Sequence, residues 1–181
     1  MGTNTLTRTR QRHRTMALGR MESFDHGIFA RLLAASGKTQ ERLAVECSVT
    51  KSVVSHWLSG RNKPAPQHAP RIAAALGVDV FELAGKTVET ADLVDLRMAA
   101  GLIGVAAAEQ SGLKRSQLNT LEAAISPPKP HHLEALAAPY GVDLDQIKRA
   151  WVNRRIFLFG RDSLGLLPED SREYLAPWSQ R

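Results

Sequence analysis

Apolar residues recur at helical spacing along the chain from Phe24 onward, and strict alternation of apolar and polar residues is nearly absent. Phe29, Leu32 and Leu33 stand at positions i, i+3 and i+4, which places them on one face of a helix. Gly37 comes next and ends that helix. Because half-buried strands require alternation, the pattern predicts an all-α protein.

Two helix starts lie close together in residues 39–64. Thr39 is expected to cap one helix and Thr50 the next, since a threonine hydroxyl accepts a hydrogen bond from a free backbone N–H. Arg42 stands where a capping box would need an acid. The predicted inward positions of the two helices are Leu43, Ala44, Cys47, Val53, Val54, Trp57 and Leu58.

A fourth helix is predicted to end at Gly77, and a short fifth helix to start at the cap residue Asp79. Residues 85–91 are interpreted as a linker, with Thr90 as a possible cap for the next helix. Five short helices in about sixty residues indicate one small helical domain.

The sequence matches itself without a gap when it is shifted by 64 residues. The matched positions lie where helices end and where cores pack, which is typical of a duplicated fold. Identical pairs include Leu32/Leu96, Gly37/Gly101, Ala44/Ala108, Ser52/Ser116, Pro64/Pro128, His68/His132 and Gly77-Val78-Asp79/Gly141-Val142-Asp143.

Basic charge is concentrated in the first half of the chain. The first 91 residues carry thirteen Lys or Arg against seven acids, and the other 90 carry eleven of each. A basic domain favours an anionic partner, of which nucleic acid is the commonest soluble one.

The single cysteine, Cys47, excludes an intrachain disulfide and fits a reducing compartment. No apolar run approaches the roughly 20 residues that span a bilayer, and the Arg-rich start lacks the apolar segment of a secretory signal. These features lead us to expect a cytoplasmic, nucleoid-associated protein without a membrane contact.

The two ends of the chain leave alternatives open. Residues 1–23 predict a basic flexible arm, either a solvated tail, a misassigned start or a segment that tracks phosphates. Residues 152–181 are rich in aromatics, and this extension either covers the second helical unit or forms a contact between molecules.

Residues 28–85 resemble the lambda-repressor-like helix-turn-helix domain of the Cro/CI type, also called the xenobiotic-response-element family. One departure is Ser48, where the family's turn usually has glycine. The residues that carry the resemblance are Thr39-Gln40, Leu43-Ala44, Ser48-Val49-Thr50, Val54-Ser55, Trp57, Gly60, Pro64 and the closing ALGVDVFEL.

The resemblance implies a site for double-stranded DNA, with helix 50–59 in the major groove. It places base contacts at Lys51, Ser52, Ser55 and His56. Phosphate contacts are expected at Gln40, Thr50, Arg61, Asn62 and Lys63.

Residues 92–149 also resemble this domain, and Lys114, Arg115, Gln117 and Asn119 are candidates for a second DNA or partner site. However, Ile103-Gly104 replaces Thr39-Gln40, so the phosphate anchor is missing. We therefore favour a copy used for packing, dimerisation or a protein partner over a second reader of DNA.

The sequence thus predicts an all-α protein with two tandem five-helix domains and a helical C-terminal extension. The expected segments are 1–23 (arm), 24–86 (DNA-binding domain), 87–91 (linker), 92–151 (second domain) and 152–181 (extension). No phosphate loop, nucleophile motif or metal-ligand spacing is found, so neither an enzyme nor a cofactor is expected. The expected function is a DNA-binding regulator, by default a repressor, and the alternative is an adaptor whose second domain and extension mediate dimerisation or bind protein partners.

Overall fold

The computed structural model describes residues 23–179, which are helical with no strand, so the predicted all-α fold is confirmed. The expected arm therefore lies outside the described residues, apart from Ser23. The α-helices are α1 (His26–Ala35), α2 (Gln40–Glu46), α3 (Lys51–Leu58), α4 (Ala69–Leu76), α5 (Leu93–Ala99), α6 (Gly104–Ser111), α7 (Arg115–Ala123), α8 (Pro130–Tyr140), α9 (Leu144–Phe159), α10 (Glu169–Tyr174) and α11 (Ala176–Ser179). Three 3-10 helices span Pro66–His68, Val80–Ala84 and Arg161–Leu164.

Side-chain caps define the helix starts of the first domain as predicted. The Thr39 hydroxyl accepts from Arg42 N at 3.2 Å, and the Thr50 hydroxyl accepts from Val53 N at 3.4 Å. Asp79 also caps as expected, although the short fifth helix that it starts is a 3-10 helix. These caps fix the points at which α2 and α3 begin.

The prediction that Thr90 caps the next helix is wrong. Asp92 is the cap of α5, and its carboxylate accepts from Val94 N at 2.9 Å and Asp95 N at 3.1 Å. The Thr90 hydroxyl instead donates to Thr87 O. A charged carboxylate that accepts two backbone N–H groups is the stronger cap.

The two domains repeat the same backbone, in agreement with the 64-residue shift. Helices α2 and α6 start 64 residues apart, as do α3 and α7. The residues with left-handed backbone also recur at this spacing: Ser48 with φ 56° matches Gly112 with φ 66°, and Gly60 with φ 68° matches Ala124 with φ 48°.

The two hydrophobic cores are joined by α5, which the sequence placed in the second domain alone. Leu93 and Leu96 pack into the core of the second domain, whereas Val94 and Met98 pack into the core of the first. All four side chains are at most 2% exposed. A helix that serves both cores fixes one domain against the other.

Charged groups are buried where the two domains meet. Lys86 Nζ forms an ion pair with Asp95 and lies 3.2 Å from Asp92 Oδ2, which Arg154 Nη1 approaches to 3.3 Å. Ser23 Oγ donates to Asp95 Oδ1 at 2.6 Å. Burial, together with the neighbouring Asp92 carboxylate, raises the pKa of Asp95.

Helices α10 and α11 fold back onto α9. Lys148 Nζ lies 4.1 Å from the centre of the Tyr174 ring, and the guanidinium of Arg149 lies 5.2 Å from that of Trp178. Leu175 is fully buried between them and the second core. This part of the extension therefore covers the second domain.

The left-handed Ser48 provides a test of the duplicated turn. We expect Ser48→Gly to increase the free energy of unfolding by about 0.5–1 kcal/mol, because glycine adopts φ 56° without a Cβ penalty. The matched change Gly112→Ala should decrease it by about 1 kcal/mol, since the added Cβ meets no atom within 4 Å and only backbone strain remains. Urea unfolding of both variants measures these changes, and equal signs would contradict the assignment.

The buried charges predict a pH-dependent loss of stability in Lys86→Met. Removing the ammonium leaves two buried carboxylates, which should cost about 2 kcal/mol at pH 7. Because the pKa of Asp95 is raised in the folded state, its contribution is most favourable below the unfolded value and is lost as the pH rises. The deficit should therefore shrink as the pH falls toward 4. Urea unfolding at both pH values checks this, and a deficit independent of pH would argue against it.

Candidate nucleic-acid interface

Helix α3 is held on the first domain by one buried face. Val54 is fully buried and Trp57 is 3% exposed, with the Trp57 ring 6.3 Å from that of Phe29. The turn from α2 is closed by a hydrogen bond from Val49 N to Ala44 O at 2.9 Å. Because this face is fixed, the opposite face of α3 must point to solvent.

The four side chains predicted to contact bases lie on that outward face. Lys51, Ser52 and Ser55 are exposed, and His56 is half-buried. His56 Nε2 lies 3.4 Å from Arg61 Nη1, so the end of α3 and the loop after it form one polar surface. Hydroxyl, ammonium and imidazole groups can each pair with base edges.

An ion pair that the sequence did not predict joins the starts of α2 and α3. The Lys51 ammonium contacts the Glu41 carboxylate, although both side chains remain about 60% exposed (61% and 59%). The hydrogen bond from Lys51 lowers the pKa of Glu41. Glu41 therefore belongs to the candidate interface, where it orients a predicted base contact.

The predicted phosphate contacts lie at both ends of α3. Gln40 is the first residue of α2 and, with Glu41 and Lys51, lines an open hollow of about 470 Å³. Thr50 is the cap of α3, and its hydroxyl is engaged by Val53 N. The remaining candidates in the loop after α3 are the exposed Arg61 and the half-buried Asn62 and Lys63.

The corresponding residues of the second domain are placed differently. Of the four candidates, Lys114 alone is exposed. Arg115 lies across Gly104, where a Cβ would collide with its guanidinium, and its Nη1 is buried. Gln117 Oε1 accepts from Lys114 N at 2.7 Å, and Asn119 Oδ1 is buried. Three of the four side chains are therefore turned toward their own domain.

The edges of this second surface are apolar. In the 64-residue register, Thr39, Glu41 and Arg61 are replaced by apolar residues that are 41%, 53% and 65% exposed. These residues are Ile103, Val105 and Ile125. Because none of them can pair with a phosphate, this surface lacks the flanking polar groups of the first domain.

Two family models match the chain. One, described as helix-turn-helix, covers residues 29–83, and the other, described as a helix-turn-helix domain, covers residues 91–150. The chain belongs to the helix-turn-helix family. It carries two such domains in tandem, and the predicted resemblance to lambda-repressor-like regulators is confirmed. No curated protein and no solved structure matches the chain.

Other chemistry is sparse in the described part of this tandem helix-turn-helix protein. Residues 23–179 contain no group of three or more metal-ligating side chains and no helix long and apolar enough to cross a membrane. Cys47 is fully buried beneath α2, and burial raises the pKa of its thiol to about 11. The thiol is therefore protonated at neutral pH and shielded from reagents.

The Lys51–Glu41 contact can be tested in the free helix-turn-helix protein. We expect Lys51→Met to raise the pKa of Glu41 toward that of an ordinary glutamate, because the largest cause of its lowering is removed. Glu46 is an internal control, since its lowered pKa depends on Lys38 and Arg42 at 2.6 and 2.7 Å. Carbon chemical shifts of the carboxyl groups against pH measure both, and a shift of Glu46 alone would contradict the pairing.

Proposed function

We propose that the chain is a sequence-specific regulator of transcription that reads double-stranded DNA through the major groove with α3. The observation that carries this proposal is the outward face of α3. It presents Lys51, Ser52, Ser55 and His56 side by side, on a helix anchored by Val54 and Trp57. A helix that projects such side chains matches the width of the major groove.

Each base contact has its own chemistry. The Lys51 ammonium donates to guanine O6 or N7, and Glu41 restricts where that ammonium points. The hydroxyls of Ser52 and Ser55 donate or accept, so they suit several bases. His56 lies at the far end of the face beside Arg61, which adds a donor for phosphate or base.

The phosphate contacts supply most of the affinity. Gln40 and Thr50 stand at the helix starts, where backbone N–H groups also attract an anion. Arg61, Asn62 and Lys63 lie after α3, on its other side. Each neutralised phosphate should steepen the salt dependence of binding by about one unit of logarithmic slope.

The charge distribution supports the same domain as the reader. The first 91 residues hold the whole formal excess of six positive charges, and the remainder is neutral. Attraction to the phosphate backbone therefore acts on the first domain, and it speeds association as well as strengthening it.

Repression is the direction that we propose, because a DNA-bound domain blocks polymerase without any further surface. The apolar edge residues Ile103, Val105 and Ile125 favour a second role beside it. In that alternative the second domain and the extension act as an adaptor that dimerises or contacts proteins, including the transcription machinery. Phosphate attraction is weak there, and Arg115 is folded onto Gly104.

The two domains provide matched variants for the test. An operator is first selected from random DNA by the full-length protein. We expect Lys51→Ala/His56→Ala to weaken binding to that operator by roughly 10- to 100-fold, as lost base contacts cost about 1–3 kcal/mol each. The equivalent pair Arg115→Ala/Thr120→Ala, 64 residues later, should change it less than about threefold.

Gel shifts with operator and random DNA at several salt concentrations measure these affinities. The ratio between the two DNAs is the decisive quantity, since loss of a lysine also weakens non-specific binding. A wild-type protein that selects no sequence would refute the proposal. Equal losses in the two double variants would show that both domains read DNA.

A further inference from the structure

Five large apolar side chains are exposed near the end of α9. They are between 41% and 82% exposed, and we name them the C-terminal apolar patch: Ile125, Phe157, Leu158, Phe159 and Leu166. Their neighbours Trp151, Leu164, Leu167 and Leu175 are at most 5% exposed. The second domain therefore has a complete core, and the patch lies outside it.

Arg155 joins the parts of this patch. Its Nη1 donates to the carbonyl oxygens of Ala124 and Ile125 at 2.7 and 2.8 Å, and its guanidinium lies 5.0 Å from the centre of the Phe159 ring. Its Nη2 also reaches Ser163 O at 3.5 Å. One side chain thus holds together the loop after α7, the last turn of α9 and the segment that leads to Leu166.

The positive charges beside the patch are already engaged within the molecule. Arg154 is 8% exposed; its Nε donates to Glu122 O at 2.9 Å, and its Nη1 pairs with Asp92. Arg155 is held by the three carbonyl groups. The centre of the patch is therefore apolar and offers little for recognition by a charged partner.

The size of the patch fits a dimer interface. With about 200 Å² for a large apolar side chain, the observed exposures correspond to on the order of 500 Å² of apolar surface. A standard interface buries about 800 Å² on each partner, of which about two thirds is apolar in homodimers. The patch alone supplies that apolar share.

We propose that a second copy of this chain covers the C-terminal apolar patch and forms a two-fold symmetric dimer. An uncharged apolar surface is its own complement, which a two-fold interface requires. Residues 150–181 carry five Arg and four acids, so two copies repel each other little at this end, whereas the first 91 residues carry a net charge of +6. All five patch residues come from residues 125–166, so the candidate DNA-reading side chains of the first domain take no part in the patch.

The dimer itself does not depend on DNA reading by α3. Its consequence for DNA rests on the proposed function: two first domains related by a two-fold axis would select two half-sites with dyad symmetry. Oligomeric state without DNA and operator symmetry are separate measurements, so a failure of one proposal is distinguishable from a failure of the other.

The test compares charge substitutions inside and outside the patch in the full-length chain. Phe157→Glu and Leu166→Glu place a carboxylate at side chains that are 76% and 82% exposed. Val45→Glu is the matched control, because Val45 is 74% exposed but lies on α2 of the first domain. Circular dichroism establishes that each variant keeps its helices.

Sedimentation equilibrium between roughly 1 and 100 µM measures the mass of each protein. We expect wild type and Val45→Glu to have twice the chain mass of 19.8 kDa, and both patch variants to dissociate at least about 100-fold more readily. A monomeric wild type over the whole range would overturn the proposal and assign the patch to another partner. Patch variants that remain fully dimeric would also overturn it.

Discussion

Helix α5 has to satisfy two hydrophobic cores at once, and the arrangement of the molecule depends on this requirement. Val94 and Met98 complete the first core, and Leu93 and Leu96 belong to the second. Charge satisfaction obeys the same geometry, because Lys86 pairs with carboxylates at the start of α5. Asn153 of α9 also donates to the carbonyl groups of Glu89 and Ala91, at 2.8 and 2.9 Å. The connection between the domains is thus fixed at both its ends.

The duplicated fold separates the needs of the backbone from those of a binding surface. Both copies keep the helix starts, the left-handed turn residues and the buried face of the third helix. They differ at the edges, where Thr39, Glu41 and Arg61 face Ile103, Val105 and Ile125 in register. Surface positions carry little of the folding energy, so they are free to diverge once the core is maintained.

Much of this fold could be predicted because the controlling interactions are local in sequence. Caps such as Thr39 and Thr50 act within three residues, and the inward faces result from helical periodicity. The sharing of α5 could not be predicted, since Val94 and Met98 look like one more face of an ordinary helix. Whether such a face packs forward or backward along the chain is decided by tertiary contacts alone.

The candidate site divides along the same line. Outward positions on α3 result from the burial of Val54 and Trp57, so those residues could be named from the pattern. The Lys51–Glu41 contact depends on the angle between α2 and α3, which periodicity does not contain. Arg115 was also out of reach, because its inward pose exists only where Gly104 lacks a Cβ.

The shared helix also orders the assembly of the chain during synthesis. The first domain leaves the ribosome before the second, but the pocket for Val94 and Met98 stays empty until α5 has emerged. Until then, the growing chain exposes apolar surface that the finished protein hides. For the same reason, a chain cut at residue 86 would lack two buried side chains of its own core.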